Sequence, residues 1–599
     1  MTQFYGLRPG FHYRQNETQS PQNRAMRIKS QGTRIFATSA LCVKLSLLQM
    51  RVEERAKQEG MVRWFSPGQL VNTAAQVLVS MIFGTRADYR IIEALRNPQP
   101  EPFDYSGKKD IWIDYVSDIG DGWNPTYSIA SLLSRASLKL SNHDQALPRA
   151  DILVMGGDEV YPVAGRAAYE NRFKHPYRAA SNPVEGTNFA DLFAIPGNHD
   201  WYDGLISFMR VFTEDRAVGA WRTRQERSYF ALKLPQHWWL LGVDIQLESD
   251  IDAPQLHYFK DVAQQMQAGD RVLVCIAQPD WYYGTAYDPL LENNLDYLEN
   301  NIIRPTGAEI RLRLSGDLHF YMRHEATDGS GTQMIISGGG GAFLKSTRGP
   351  NVEKISYRSP RNEINFMRKC EYPSQSTSWF LALRNLYFPF LNPFFGVLTA
   401  MGYLPIAWIP LKSQADSFLP GLLSAFGELL QRPAGFLWTT LLIGVFILFT
   451  DTHKTIYRWI AGGTHALCHV LAALSLSLFV FPLFELFSSN NLNYWLRLGL
   501  ALTGGYALGS FIMGLYLLVS LVFFRRHSEE AFSALRIQDY KNFLRLHICE
   551  DGVLEVFPVG LERVPRLWRF NAKAKANEPL WLPEDLELVP KLIEDPIRV

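Results

Sequence analysis

Cysteine is scarce in this chain. Cys42, Cys275, Cys370, Cys468 and Cys549 stand far apart, which excludes a disulfide framework and a Cys-x-x-Cys metal site and fits a reducing compartment. Net charge is nearly absent too. The 60 Lys and Arg against 59 Asp and Glu leave +1, too little to build a field that attracts a polyanion, so nucleic acid is not an expected partner. The stretch from Met1 to Gln15 lacks the charged-then-apolar order of a secretory signal. No internal repeat is evident, and the Gly338–Gly341 run lacks the lysine and spacing of a P-loop.

What the chain does have is a set of seven short apolar runs: Ile111–Asp118, Asp151–Asp158, Asp191–Ile195, Trp238–Asp244, Arg271–Gln278, Ile310–Asp317 and Gln333–Ser337. Their length and their Val, Ile, Leu and Trp content predict buried strands. Strands of an α/β sheet present chemistry at their carboxyl ends. Asp118, Asp158, Asn198, Gln278, Asp317 and His319 all fall at or just beyond such ends. One Gly-Asp after a strand is an ordinary turn or cap. Repeated, such endings point to a shared pocket, and carboxylates crowded together resist ionisation unless cations compensate them. Two divalent ions supply that charge, with Asp158 placed to bridge them.

The order Asp118, Gly157-Asp158-Glu159-Val160-Tyr161, Gly197-Asn198-His199-Asp200, Gln278-Pro279 and Gly316-Asp317-Leu318-His319 resembles the calcineurin-like metallophosphoesterases. Their usual series is D-x-H, G-D, G-N-H-D/E, H and G-H-x-H. The resemblance spans about residues 110–345 and rests most on Gly-Asn-His-Asp following a strand. It implies an α/β fold with a metallophosphoesterase-type β-sandwich flanked by helices. It also implies hydrolysis of a phosphomonoester or phosphodiester by metal-activated water. Carried over, it makes Asp118 and His319 ligands of one ion, Asn198 and Asp317 ligands of the other, and Asp158 the bridge. His199 would protonate the leaving oxygen while Asp200 orients its imidazole.

Three positions depart from the family series. Gly120 stands where D-x-H has its histidine, Gln278 replaces the lone histidine, and Asp317 replaces the first histidine of G-H-x-H. An oxygen-rich site favours Mn or Fe, as two divalent or mixed-valence ions, ahead of Zn or Mg. The spacing of Asp158 and Tyr161 is similar to that of purple acid phosphatases, where the tyrosine binds ferric iron; a core aromatic beside a turn is the alternative. Asp121 is a second candidate to compensate for Gly120. Lost histidines also leave open a non-catalytic domain that binds metal or phosphate and regulates a membrane sensor or transporter.

Beyond Arg384 charge vanishes over long intervals: no Asp, Glu, Lys or Arg occurs in Asn385–Leu411, Pro433–Thr450, Trp459–Phe484 or Leu498–Phe524. A bilayer-spanning helix needs about 20 apolar residues, so these intervals predict about four transmembrane helices, the first interrupted by Pro389, Pro393, Pro405 and Pro410. Phe418–Leu430 suits an interfacial helix. Lys454, Arg458, Arg525 and Arg526 mark the cytoplasmic side, which makes this a multi-pass membrane protein with both the phosphoesterase domain and the tail in the cytoplasm. His465 and His469, spaced i, i+4 within the third interval, form either a metal pair or a locally packed one.

The expected organisation is an N-terminal extension (1–105), partly helical over Leu70–Leu95; a metallophosphoesterase domain (106–350); a linker (351–384); an α-helical transmembrane domain (385–527); and a tail (528–599). The tail reads as a helix or helix pair through Ile548, then a hairpin turning at Asp551-Gly552. Arg24, Arg27, Lys29 and Arg34 belong either to a solvated tail or to a membrane-surface contact. Trp123, Trp201, Tyr202, Trp281, Tyr282, Tyr283, Phe320 and Tyr321 are candidates for a stacking wall or for core, and Gly338–Gly341 for a phosphate cradle or a connector. The expected partners are a phosphate-ester substrate and the lipid bilayer; protein partners are not indicated.

Overall fold

All seven apolar runs are strands, and they divide between two sheets. In the computed structural model the described residues are 57–73, 75, 101–181, 189–245, 251–287, 294–358, 363–407, 417–450, 454–485, 490–575 and 578–599. One nine-stranded sheet is built around the parallel strands Trp238–Val243, Arg271–Ile276, Glu309–Ser315 and Gln333–Ser337. The other is built around Ile111–Val116, Ile152–Met155 and Ala190–Ala194, also parallel. Parallel strands bring their carboxyl ends to one edge, which is where the candidate ligands sit.

Strand Trp238–Val243 shows why the runs read as unbroken apolar segments rather than alternating ones. Trp238 and Leu240 pack between the sheets with Ile113, Val154, Leu312 and Leu546. Trp239, Leu241 and Val243 pack on the opposite face with Tyr258, Val262 and Ile302. Both faces are buried, as in other sheets covered on two sides.

Two expectations fail at the domain edges. Residues 351–384, read as a linker, carry the paired strands Lys354–Arg358 and Glu363–Tyr372 and the helix Gln375–Ala382. Those strands lie at the rim of the first sheet, so their exposed positions take charged residues and the apolar signal is diluted. In the tail, helix Ser528–Leu535 is followed by strand Lys541–Ile548, not by more helix. That strand pairs antiparallel with Ile111–Val116 and, through the expected turn at Asp551-Gly552, with Leu554–Leu561. Leu544, Leu546 and Ile548 fill the sandwich. Arg545, also buried, meets Asp114 through two hydrogen bonds of 2.7 and 2.8 Å. The C-terminal segment thus completes the sheet that carries Asp118.

Among the described residues two helices are long and apolar enough to cross a membrane, over Thr455–Leu478 and Leu498–Phe524. Phe418–Gln431 and Pro433–Phe449 meet at a bend of 102°, where Pro433 has no N–H to continue the helix. Pro393–Ala407 has 15 residues, about 22 Å, short of a hydrocarbon core of about 30 Å. Four uninterrupted spans are therefore not found among the described residues. His469 Nε2 lies 3.1 Å from His465 Nε2 and its Nδ1 lies 2.8 Å from the Tyr403 hydroxyl, so this pair is engaged locally. Most of Leu70–Leu95, together with Cys42, Arg24, Arg27, Lys29 and Arg34, lies outside the described residues.

Candidate metal centre

Asp118, Asp158, Asp317 and His319 share an unusual backbone: their φ angles are 59°, 55°, 67° and 52°, in the left-handed region that side chains rarely adopt. Each such residue costs about 1 kcal/mol or more, and strain of this kind gathers at functional sites. The turns hold one another through hydrogen bonds to the carboxylates. Asp317 N donates to Asp118 Oδ2 at 2.8 Å, Ser117 Oγ donates to the same oxygen at 2.9 Å, and His199 N donates to Asp158 Oδ1 at 2.9 Å.

The side chains of Asp118, Asp158 and His319 converge on Tyr161. Its phenol oxygen lies 2.9 Å from Asp118 Oδ1, 3.1 Å from Asp158 Oδ2 and 3.0 Å from His319 Nε2, and the last is 3.5 Å from Asp118 Oδ1. Donors on adjacent corners of an octahedron with metal–ligand bonds of about 2.1 Å are about 3 Å apart. These distances put the Tyr161 oxygen in the middle of the three, and among them Asp118 and His319 stand close enough to share an ion. His319 Nδ1, 2.8 Å from the Phe343 carbonyl, must carry the ring hydrogen, which leaves Nε2 as the free donor atom.

The glycine at position 120 now has a physical reason. A Cβ there would collide with the Glu159 carbonyl and stand 3.0 Å from Val160 Cα, because Gly120 forms a bridge with Val160. No histidine fits, and Tyr161 enters from the neighbouring segment. Asp121 does not replace it: its carboxylate accepts from Val62 N at 2.8 Å and Phe343 N at 3.1 Å, a structural role.

Asn198 lies on the far side of Asp158, its amide 3.1 and 3.3 Å from the two carboxylate oxygens and 3.3 Å from the Tyr202 hydroxyl. With the amide oxygen facing the carboxylate, acceptor meets acceptor, an arrangement that a shared cation stabilises; the opposite amide orientation donates to the carboxylate instead. Asp317 accepts from the Tyr283 hydroxyl at 2.5 Å and lies 3.8 Å from Lys345 Nζ. Gln278 stays apart. It is exposed, and among the described residues no hydrogen bond joins its amide to the cluster.

Asp200 does not orient the His199 ring. It accepts from Gly197 N (2.9 Å), Glu159 N (3.2 Å) and the Tyr169 hydroxyl (2.5 Å), anchoring the loop. The ring is held instead by the Pro162 carbonyl, 2.6 Å from Nδ1. A carbonyl only accepts, so Nδ1 carries hydrogen and Nε2 is the nitrogen left for a substrate.

The electrostatics are those of a site short of positive charge. Burial, then the neighbouring Asp158 and Asp317, push the Asp118 carboxyl far above the usual carboxylate range. Asp158 is raised to about 6, chiefly by burial and further by Asp200 and Asp317, with His199 opposing. Burial, then Lys345 and Lys541, push His319 well down. Lys345, near these acids, also forms a tight ion pair, 2.8 Å from Glu529 Oε1.

Lys345, Glu529 and Trp64 escaped the sequence reading. Trp64 places its ring 5.9 Å from that of His199 and 5.8 Å from that of Phe343. The only cue was Lys345 as a single charge ending the apolar run Ala342-Phe343-Leu344. Of the candidate aromatics, Tyr202 and Tyr283 border the site. Trp281, Tyr282 and Phe320 are core, Trp123 stacks on Tyr127, Tyr321 donates to Glu594, and Trp201 donates to Asp244. Among the described residues the three acid, histidine or cysteine donors that all lie within 4.8 Å of one another are His547, Cys549 and Glu555 on the tail hairpin, where Asp110 and Arg598 already meet His547 and Glu555.

Residues 111–298 match the model of the calcineurin-like phosphoesterase family. No curated protein matches the chain. Two solved structures show partial likeness. GAP50, the anchor in the inner membrane complex of Plasmodium, shares 16% identity over 41% of this chain and 76% of its own, with a TM-score of 0.29. The purple acid phosphatase PPD1 from yellow lupin (Lupinus luteus) seeds shares 14% over 45% and 49%, with a TM-score of 0.28. With the family match set beside the converging donors, this chain carries a calcineurin-like phosphoesterase domain.

Proposed function

We propose that the chain is a membrane-anchored, metal-dependent phosphoesterase that hydrolyses a phosphomonoester or phosphodiester. The observation that carries this reading is the Tyr161 oxygen within 3.1 Å of Asp118, Asp158 and His319. Those four residues would hold one ion, and Asp158, Asn198 and Asp317 the other, with Gln278 left out. Bound ions would supply an activated water and neutralise charge on the phosphoryl group. His199, its Nδ1 fixed by Pro162, turns Nε2 towards the leaving oxygen and would hold the proton that oxygen takes. The Trp64 and Tyr202 rings stand edge-on to this imidazole, at 5.9 and 5.2 Å. Lys345 lends positive charge beside Asp317.

The same reading makes the protein multi-pass, with the domain and tail cytoplasmic. Lys454 and Arg458 open one long helix, Arg525 and Arg526 close the other, and the Arg526 guanidinium stands 6.0 Å over the Tyr457 ring, so these basic residues share one end.

The test uses the detergent-purified protein, stripped of metal and assayed on model mono- and diesters with Mn²⁺, Fe or Zn²⁺ restored. Asp158→Asn should abolish turnover and His199→Ala should reduce kcat by about 10²–10⁴. Turnover indifferent to both substitutions would refute the assignment.

A further inference from the structure

We infer that the substrate is a phosphorylated lipid held in the bilayer, with its phosphate at headgroup depth, and not a water-soluble ester. The inference rests on the phosphoesterase reading and names the substrate class of the same site.

Three independent contacts tie the site to the end of the apolar helix that closes at Phe524. Lys345, beside Asp317, pairs with Glu529, five residues beyond that end. Three residues on from Lys345, Arg348 Nη2 donates to the Val522 carbonyl within the helix itself, at 3.3 Å. Tyr283, which donates to Asp317, stacks at 5.9 Å on Tyr287, and Arg526 stands 6.0 Å over Tyr287. On the other side of the site Phe65 packs against Phe388 and Phe395 at 5.1 and 5.7 Å, while the adjacent Trp64 covers His199. No spacer separates the chemistry from the apolar helices.

The surface around these contacts is apolar and aromatic. Phe390 is 81% exposed and Phe523 75%, with Phe394, Phe524 and Trp459 also exposed. Bulky aromatics left in the open suit the boundary between hydrocarbon and headgroups. Lys454, Arg458 and Arg526 lie at the same end and complement anionic headgroups. A phosphate anchored in the same bilayer stays at the depth of this site, and shared anchoring raises its effective concentration there. A freely diffusing ester gains nothing from that placement.

The chemistry balances without a further reactant. Water oxygen bonds to phosphorus and gives up one proton, the bond from phosphorus to the leaving oxygen breaks, His199 Nε2 delivers the proton that the leaving oxygen takes, and the proton from water restores the one His199 gave. A lipid monoester yields the lipid alcohol and inorganic phosphate; a lipid diester yields a monoester and an alcohol.

The experiment reconstitutes the full chain in phosphatidylcholine vesicles with Mn²⁺ or Fe. It compares dioleoyl phosphatidate and dioleoyl phosphatidylglycerol with their dihexanoyl counterparts dissolved as monomers, and with p-nitrophenyl phosphate. The expected result is kcat/KM higher by about 100-fold or more for a long-chain lipid, abolished by Asp158→Asn. Soluble esters hydrolysed as well as the lipids, or instead of them, would overturn the lipid inference and leave the phosphoesterase reading standing. No hydrolysis of any arm, with any metal, would overturn both.

Discussion

Missing side chains shape this site as much as its ligands do. A Cβ on Gly338 would stand 2.5 Å from Asp118 Oδ2 and 2.7 Å from His319 N, and one on Gly316 would stand 2.5 Å from the same Asp118 oxygen. Gly338 is thus a wall against which two ligands are pressed, and the amides of Gly338 and Gly340 already donate to the Phe320 and Ser117 carbonyls. Gly338→Ala should displace Asp118 or His319, lowering bound metal at least about tenfold by elemental analysis while the far-ultraviolet dichroism is retained. Full occupancy in that variant would contradict the packing argument. Tyr161→Phe keeps the ring and removes the oxygen at the centre of the donors. In iron-loaded protein it should abolish a visible tyrosinate charge-transfer band and weaken metal retention. If band and retention persist, Tyr161 is only packing.

Among the elements, the most consequential is the strand Lys541–Ile548, which joins residues more than 400 positions apart in the chain. Arg545 and Asp114 are both essentially inaccessible, and removing one partner of such a pair strands the other charge. Arg545→Ala should lower unfolding free energy by about 3–5 kcal/mol in denaturant titrations, while Asp114→Leu with Arg545→Met should recover most of it. A loss below about 1 kcal/mol for the single variant would mean that the tail strand is not integral to the sheet. The same strand marks the limit of what sequence could reveal. The turns bearing Asp118, Asp158, Asn198 and Asp317 were legible because their residue types state their chemistry and apolar runs precede them. Lys541–Ile548 was misread as helix because its alternation is eight residues long and its buried Arg545 imitates a surface position. Lys345, Glu529 and Trp64 came from single residues with no spacing pattern, brought in by tertiary packing alone. Gly120 showed that a histidine was missing; only the bridge to Val160 showed why none could be there. Asp200, adjacent to His199 in sequence, turned out to anchor the loop, a distinction that needs the partner atoms.

At the scale of the whole molecule, the acids of the site make stability depend on metal and on pH together. In the unfolded chain an aspartate titrates near about 4, whereas in the metal-free fold Asp158 is raised to about 6 and Asp118 further still. Between those values the folded state binds more protons than the unfolded state, so the stability of the metal-free protein falls as pH rises through that window, by on the order of 2 kcal/mol for Asp158. A cation replaces the protons and cancels the penalty, and its binding to the folded state adds stability by mass action. The metal-free protein should therefore melt at a lower temperature at about pH 7 than at about pH 5. Added Mn²⁺ or Fe should raise Tm more at the higher pH, where carboxylates need not first lose a proton. Asp158→Asn, which cannot ionise, should flatten part of the pH dependence and much of the metal response. A metal-free protein equally stable at both pH values, with a metal increment independent of pH, would mean that these buried acids do not form a cation site.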